Sequence, residues 1–220
     1  MLIPDMAALQ EYLAQCQSCC AAEVRCELTP ALSARVNDAA LAEALVTGLP
    51  MAQGIQPRIV RRRGWGVIHT AKVRYRQGVR MLHAAALTAE ESAGLKTAQN
   101  IAAEAKRLCD EEDRFRHVYD WICRNIRYAH TSPGQKGYER LVGAASVLED
   151  HQANCQGFAD VLYLLCGLCG IACEYRCGRG EKRLHVWNAV RLKGVWREVD
   201  VSKVQDALRI DKSQTNFYGT

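Results

Sequence analysis

The chain has 220 residues, 49 % of them apolar, and carries 29 Lys and Arg against 24 Asp and Glu for a net charge of +5. That composition supports a buried core, either as one large domain or as a domain with an accessory piece, and excludes a disordered tail. No apolar run reaches the length of a bilayer span, so no membrane insertion is expected. The opening Met1-Leu2-Ile3-Pro4-Asp5 lacks the basic patch and apolar stretch of a secretory signal, which points to a cytoplasmic location.

Taken from the start, Met6, Leu9, Leu13 and Cys16 form an apolar stripe at helical spacing. Leu28-Thr29-Pro30 closes that helix, and a second is predicted from about Leu32 to Leu45. After Gly48-Leu49-Pro50 the period changes to two. One strand is predicted over Arg58 to Arg63, a turn at Gly64-Trp65-Gly66, and a second strand over Val67 to Tyr75. In that second strand Val67, His69, Ala71, Val73 and Tyr75 face one way, while Thr70, Lys72, Arg74 and Arg76 face the other. The apolar face of such a hairpin requires a covering layer.

Helical spacing returns at Leu87. Thr88 is a capping residue with Glu90 and Glu91 in the first turn, and Leu95, Ala98, Ala102, Ala105 and Cys109 continue one face. Beyond the acidic stretch Asp110-Glu111-Glu112-Asp113, another helix presents Phe115, Val118, Tyr119, Ile122, Cys123 and Ile126 and ends near Arg127-Tyr128. Thr131-Ser132-Pro133-Gly134 is loop, and the tract to Gly143 is irregular or a short turn. Ala144 to Leu148 makes a short helix. A longer one begins at Cys155, with Phe158, Val161, Leu162, Leu165 and Leu168 on its apolar face up to Gly170. Three strands follow, Ala172 to Cys177, Leu184 to Leu192 and Val195 to Val201. Arg179 to Arg183 joins the first two, and Lys193-Gly194 turns the second into the third.

Eleven cysteines are many for a chain without an export signal. Disulfides are disfavoured on that ground, and the odd number leaves at least one thiol unpaired within a monomer. Cys16, Cys19, Cys20 and Cys26 form one cluster; Cys166, Cys169, Cys173 and Cys177 form another. Cys-x-x-Cys spacing can ligate zinc, but small buried thiols are the commoner use. The second cluster also runs from a helix through a Gly turn into a strand, which disperses its side chains. The clusters are read as core residues. No oxygen-rich loop suits calcium, and thiol chemistry requires no cofactor, so neither metal nor cofactor is expected.

One cysteine stands apart. Cys155 lies at a helix start, where unpaired N–H groups and the helix dipole favour an anion, and its neighbours Asn154, Gln156 and Gly157 are polar or small. Its thiol is expected to be acidified there, and the same N–H groups, including its own, can receive the oxyanion of an acyl-transfer intermediate. Gly157 would let a substrate backbone approach. The bland alternative is a buried small residue like the other cysteines. His185 and Asp200 fall on consecutive strands. With a two-residue turn, Leu192 pairs with Val195, and His185 and Asp200 share a face on a diagonal; with a one-residue bulge they face opposite sides. Asp200 would then orient the imidazole of His185, which would serve Cys155 as base and later as acid. Taken alone, His185 reads equally as an ordinary strand histidine and Asp200 as a cap before Val201-Ser202-Lys203.

The tract from Phe115 to Ser202 resembles the transglutaminase-like superfamily, the papain-related cysteine fold also found in bacterial peptidase-like proteins and peptide N-glycanases. The carrying residues are Trp121-Ile122-Cys123-Arg124-Asn125-Ile126-Arg127-Tyr128, Asn154-Cys155-Gln156-Gly157-Phe158-Ala159, His185-Val186-Trp187-Asn188 and Trp196-Arg197-Glu198-Val199-Asp200. Two positions depart from the frequent pattern, Ala153 two before the cysteine and Val201-Ser202 after the aspartate. The resemblance implies an α+β fold with a nucleophile helix packed on an antiparallel sheet, preceded by the helical and hairpin region. It divides the chain into an accessory region over 1–95, or one integral to the core, and a catalytic domain over 96–220. It also implies a Cys155, His185, Asp200 triad acting on peptide or protein amides. In this family the second oxyanion donor tends to come from outside the nucleophile helix. Tyr128 is the candidate, although a tyrosine ending an amphipathic helix equally suits a core edge. Gln156, Gly157 and Trp187 are the candidate substrate contacts, with Trp187 as a channel wall or a sheet-packing residue.

Other functions compete. Arg58, Arg61, Arg62, Arg63, Lys72, Arg74, Arg76 and Arg80 lie in a tract without acids, and a basic ribbon can track phosphates. The modest overall charge, the acidic helices and the lack of any nucleic-acid-binding signature weigh against nucleic acid. An acidic peptide or protein partner remains a use for the patch, as does a non-catalytic scaffold for the whole fold. Within the enzyme reading, hydrolysis is favoured over glutamine cross-linking, because the chain is short and shows no acidic loop to regulate or recruit a second substrate.

Overall fold

The computed structural model describes residues 1–49, 51–62, 65–179 and 184–203. They divide into two compact units, Met1–Arg76 with His83–Ala85, and Gln77–Leu82 with Ala86 onward. A boundary at 95 would cut through one continuous helix, so the division falls earlier than the sequence suggested.

The first unit is a four-stranded sheet with helices. Its elements are β1 (Leu2–Ile3), α1 (Met6–Ser18), β2 (Glu23–Leu28), α2 (Pro30–Ser33), α3 (Asp38–Gly48), β3 (Ala52–Arg62) and β4 (Trp65–Tyr75). The sheet order is β1-β2-β4-β3, with β1 parallel to β2 and the other pairs antiparallel. Asp5 caps α1 by accepting from the Ala8 N–H, and Asn37 caps α3 through Ala40. The helical stripe of α1 is buried at Leu9, Leu13 and Cys16.

Three expectations change here. The single helix expected from Leu32 to Leu45 is two, α2 and α3, with residues 34–37 between them. Glu23–Leu28 is a strand, whose alternation buries Val24, Cys26 and Leu28, where the sequence reading carried the first helix onward to Pro30. The hairpin strands are also longer than expected, beginning at Ala52 and Trp65, so Trp65 and Gly66 lie in β4. Six residues of alternating pattern are easily absorbed into a neighbouring helical run, because both periods place apolar groups four apart. Within β4, His69, Ala71, Val73 and Tyr75 are buried while Lys72 and Arg74 are exposed. Arg58 shares the exposed face, and Arg25 on β2 pairs with Thr70 of the same face, beside the acids Glu23 and Glu27. Arg80 lies in the following helix, counted with the second unit, and pairs with Glu91 at 2.7 Å. Arg63 and the side chains of Arg61 and Arg62 lie outside the described residues.

The second unit begins with α4 (Gln77–His83), all but its last residue counted with this unit, which the sequence reading did not anticipate. Then come α5 (Ala89–Ala105), α6 (Glu111–Asn125), β5 (Arg127–Tyr128), a 3-10 turn over Tyr138–Leu141 and α7 (Ala144–Asp150). The series ends with β6 (Gln152–Ala153), α8 (Cys155–Leu168), β7 (Ala172–Arg179), β8 (Leu184–Leu192) and β9 (Val195–Val199). Thr88 and Glu91 form a reciprocal capping box on α5, as the sequence indicates, whereas Cys109 lies beyond the helix and is exposed. The end of α6 does not simply fray: Arg127 and Tyr128 pair in parallel with Gln152 and Ala153.

Burial explains the assembly of this unit. Phe158, Val161, Leu162, Leu164 and Leu165 of α8 are all buried in one cluster with Val118 and Ile122 of α6, Val147 of α7 and Val190 of β8. The helix lies on β7 and β8 and also contacts α5, α6 and α7, so it is the centre of the core. The sheet beneath it is antiparallel in the order β7-β8-β9. One polar group is built into this interior. Asp160 is fully buried and accepts from the N–H groups of Gly78 and Ala144 and from the Tyr175 hydroxyl, at 3.0, 2.9 and 2.7 Å. A buried carboxylate so supplied with donors ties α4, α7 and β7 to α8.

Of the clustered cysteines, Cys16, Cys20, Cys26, Cys166 and Cys169 are buried, Cys173 is half-buried, and Cys19 and Cys177 are exposed. No group of three or more metal-ligating side chains occurs among the described residues, and no described helix is long and apolar enough to cross a membrane.

Candidate active site

Cys155 is the first residue of α8, and Asn154 caps the helix. The Asn154 side chain is buried and its Oδ1 accepts from the N–H groups of Gln156 and Gly157 at 2.9 and 3.2 Å. Two first-turn donors are therefore engaged by the cap. Of the first-turn N–H groups that the sequence offered, those of Gln156 and Gly157 are thus not free, while the Asn154 cap does not engage that of Cys155.

The half-buried thiol lies against the backbone N–H of Val186, the residue after His185, and against the N–H groups of Gln156 and Cys155. Burial raises it above the ordinary thiol value of 9.0, those N–H groups pull it back, and the Asp200 charge adds to the rise. The expectation of an acidified thiol is thus reversed. Desolvation of the charged form outweighs the helix terminus, because the sulfur is enclosed and its neighbouring donors are shared with the cap.

The register of β8 and β9 is that of the two-residue turn. Leu192 pairs with Val195 and Asn188 with Val199, and Lys193 and Gly194 both have positive φ, 49° and 83°. The ladder stops at Val199, two residues earlier than expected, and residues 201–203 are helical. Asp200 sits at that switch and is bonded on both sides. Its Oδ1 accepts from the Lys203 N–H at 3.3 Å and from the Ser202 hydroxyl at 2.6 Å. Its Oδ2 accepts from His185 Nε2–H at 2.6 Å. A carboxylate is acceptor-only, so Nε2 carries a proton in this bond, and in the neutral imidazole Nδ1 then keeps its lone pair. His185 and Asp200 keep 24 % and 15 % of their side-chain surface, so the pair is partly exposed.

The remaining candidates sort differently. Trp187 stacks on His185 with ring centroids 5.7 Å apart and donates through its indole N–H to Glu198, so it walls the histidine. Gly157 is buried, and a Cβ there would meet the Leu141 carbonyl oxygen at 2.2 Å and Val147 at 2.8 Å. Its small size serves packing of α8, and the expected substrate approach over it is not available. Tyr128 pairs with Ala153, two residues before Cys155, and its ring stacks on Phe158 at 6.2 Å and 11°, a core-edge position. Gln156 is half-buried and its Nε2 donates to the Tyr138 hydroxyl at 2.7 Å. Tyr138, Ser202 and the buried Asn188, whose Nδ2 donates to the Ala159 carbonyl at 3.2 Å, were not singled out from sequence. A hydroxyl two residues after a candidate triad aspartate was the one available signal among them.

Residues 96–201 match the family model of the transglutaminase-like superfamily. This segment belongs to that superfamily. Transglutaminase-like membership implies thiol-dependent chemistry for a cysteine in this setting. The segment is 31 % identical over 101 residues to the kyphoscoliosis peptidase of Homo sapiens and 30 % identical over 101 residues to that of Mus musculus. Each match covers 40 % of this chain and 15 % of the relative, so the chain spans a small part of the length of these curated relatives. Among solved structures, one described as a TGase aligns with TM-score 0.47 at 12 % identity, over 82 % of this chain and 50 % of that one. The periplasmic domain of TgpA from Pseudomonas aeruginosa aligns with TM-score 0.43 at 14 % identity, over 72 % and 66 % respectively.

Proposed function

We propose that the transglutaminase-like segment catalyses acyl transfer from a peptide or protein amide through Cys155, His185 and Asp200. The observation that carries this reading is the 2.6 Å bond from His185 Nε2–H to Asp200, made on the strand whose next residue, Val186, contacts the Cys155 thiol. The bond leaves Nδ1 of His185 as the available base. In the reaction the thiol proton passes to Nδ1 as sulfur bonds to the carbonyl carbon, and Asp200 stabilises the imidazolium. The oxyanion falls to the Cys155 N–H, with Tyr128 kept as the candidate second donor. Collapse breaks the C–N bond, the amine leaves with the proton from His185, and a thioester remains. A neutral resting thiol places the weight on this proton transfer, so the base and its orienting carboxylate are indispensable.

Water is the proposed acceptor for the thioester, in keeping with the peptidase name of the curated relatives. Mass spectrometry of a glutamine-containing peptide, incubated with and without a small primary amine, tests the assignment. Hydrolysis or deamidation without amine incorporation is expected. Both products should vanish in Cys155→Ala, and the rate should fall by about 10³- to 10⁴-fold in Asp200→Asn, because the amide has a single acceptor oxygen for which Ser202 and Lys203 compete with His185. Incorporation that outcompetes water would make the protein a transamidase with the same triad. Activity that survives Cys155→Ala would end the reading.

A further inference from the structure

Both neighbours of Cys155 are held by one short piece of chain. Gly134 and Gly137, with φ of 84° and 88°, bend the loop after β5 into the 3-10 turn over Tyr138–Leu141. At the end of that turn, the Leu141 carbonyl accepts from the Asn154 N–H at 3.1 Å. At its start, the Tyr138 hydroxyl accepts from Gln156 Nε2 at 2.7 Å. Arg140, between them, fixes the turn to the end of α7 by donating from Nη2 to Glu149 Oε2 at 2.9 Å and to Asp150 Oδ1 at 2.7 Å. Gly157 completes the fit by lying flush against Leu141.

The Gln156 side chain has no part in capping α8, which Asn154 performs. Gln156 directly follows Cys155 and is half-buried; its carboxamide is held through one of its two N–H bonds, with Oε1 and the second N–H unused among the described residues. The Tyr138 hydroxyl is the acceptor of this bond. A carboxamide with one donor and one acceptor in reserve is complementary to a peptide group, which also offers one of each.

We infer that Tyr138 is a positioning residue that holds the Gln156 carboxamide beside Cys155, where it hydrogen-bonds the peptide backbone flanking the reacting amide. The substrate class that follows is an amide embedded in an extended peptide, in preference to a small free amide. This inference rests on the proposed role of Cys155 as nucleophile and adds a recognition element to it.

The experiment compares two electrophiles on Cys155, a blocked tripeptide chloromethyl ketone and iodoacetamide, with the modified thiol mapped by mass spectrometry. Wild type, Tyr138→Phe, Gln156→Ala and the double variant are measured as second-order rate constants. The phenylalanine keeps the ring and removes only the hydroxyl. The peptidyl reagent should slow by about three- to tenfold in each single variant, the range of one neutral hydrogen bond, with no further loss in the double variant. Iodoacetamide, which has no peptide backbone, should react at the wild-type rate throughout. An unchanged peptidyl rate, additive losses in the double variant, or equal slowing of both reagents would overturn the inference, the last by showing a structural role only. Failure of both reagents to label Cys155 in the wild-type protein is a different result. It would remove the nucleophile assignment and this inference with it.

Discussion

Cys155 shows how opposing local effects are decided by magnitude. The helix start, the Val186 N–H and its own N–H favour the thiolate, yet enclosure raises the group above 9.0. A raised value means less thiolate at any given pH. The rate of iodoacetamide alkylation at Cys155 should therefore climb with pH through and beyond the ordinary thiol range, levelling off above 9.0. Peptide mapping across a pH series checks this. A plateau already reached in mildly acidic solution would show a resting thiolate–imidazolium pair and would overturn the neutral-thiol resting state. Asp200 makes the complementary point: one carboxylate terminates a strand, caps the following turn and orients His185, because its two oxygens face different partners.

At the scale of elements, the site is a meeting of ends. The β8–β9 turn is fastened to the start of α6, where the Lys193 N–H donates to Glu111 at 2.7 Å and its ammonium to Glu112 at 3.1 Å. The acidic stretch before Phe115 thus anchors the hairpin that carries His185 and Asp200. On the other side, the 3-10 turn packs directly on the first turn of α8. Gly157→Ala should push that turn away, because the new methyl would stand 2.2 Å from the Leu141 carbonyl oxygen. The expected loss is about 1–3 kcal/mol of stability, the usual range for overpacking, read as a lower urea midpoint. Slower reaction of Cys155 should accompany it. A midpoint equal to wild type would show that the contact relaxes without cost.

Across the whole molecule, buried thiols make stability a function of pH. Burial raises Cys16, Cys26, Cys155 and Cys169 above 9.0, and contact with Cys173 together with burial raises Cys166. Each is held neutral in the fold but ionises near 9.0 when the chain unfolds, so the unfolded state releases more protons in alkali. Their contribution is complete below 9.0 and is lost as pH rises through the higher folded values. Under reductant, the urea midpoint should be level from neutral to mildly alkaline pH and should fall by about pH 10.5. An unchanged midpoint over that interval would mean that these thiols titrate alike in both states.

The amphipathic helices, the Thr88 cap, the cysteine opening α8 and a turn at Lys193-Gly194 were legible in the sequence, because each depends on spacing or backbone preference within a few residues. The transglutaminase-like motifs around Cys155, His185 and Asp200 were legible for the same reason. Between the two possible registers of β8 and β9 the sequence did not choose, and the folded hairpin did. Tertiary contacts alone assigned β2 to a sheet, paired Arg127 and Tyr128 with Gln152 and Ala153, and brought Tyr138 to Gln156. They also gave Gly157 its packing role and reversed the expected acidity of Cys155. Local periodicity predicts where a side chain points; partners distant in sequence and the degree of desolvation are set only when the core closes around them.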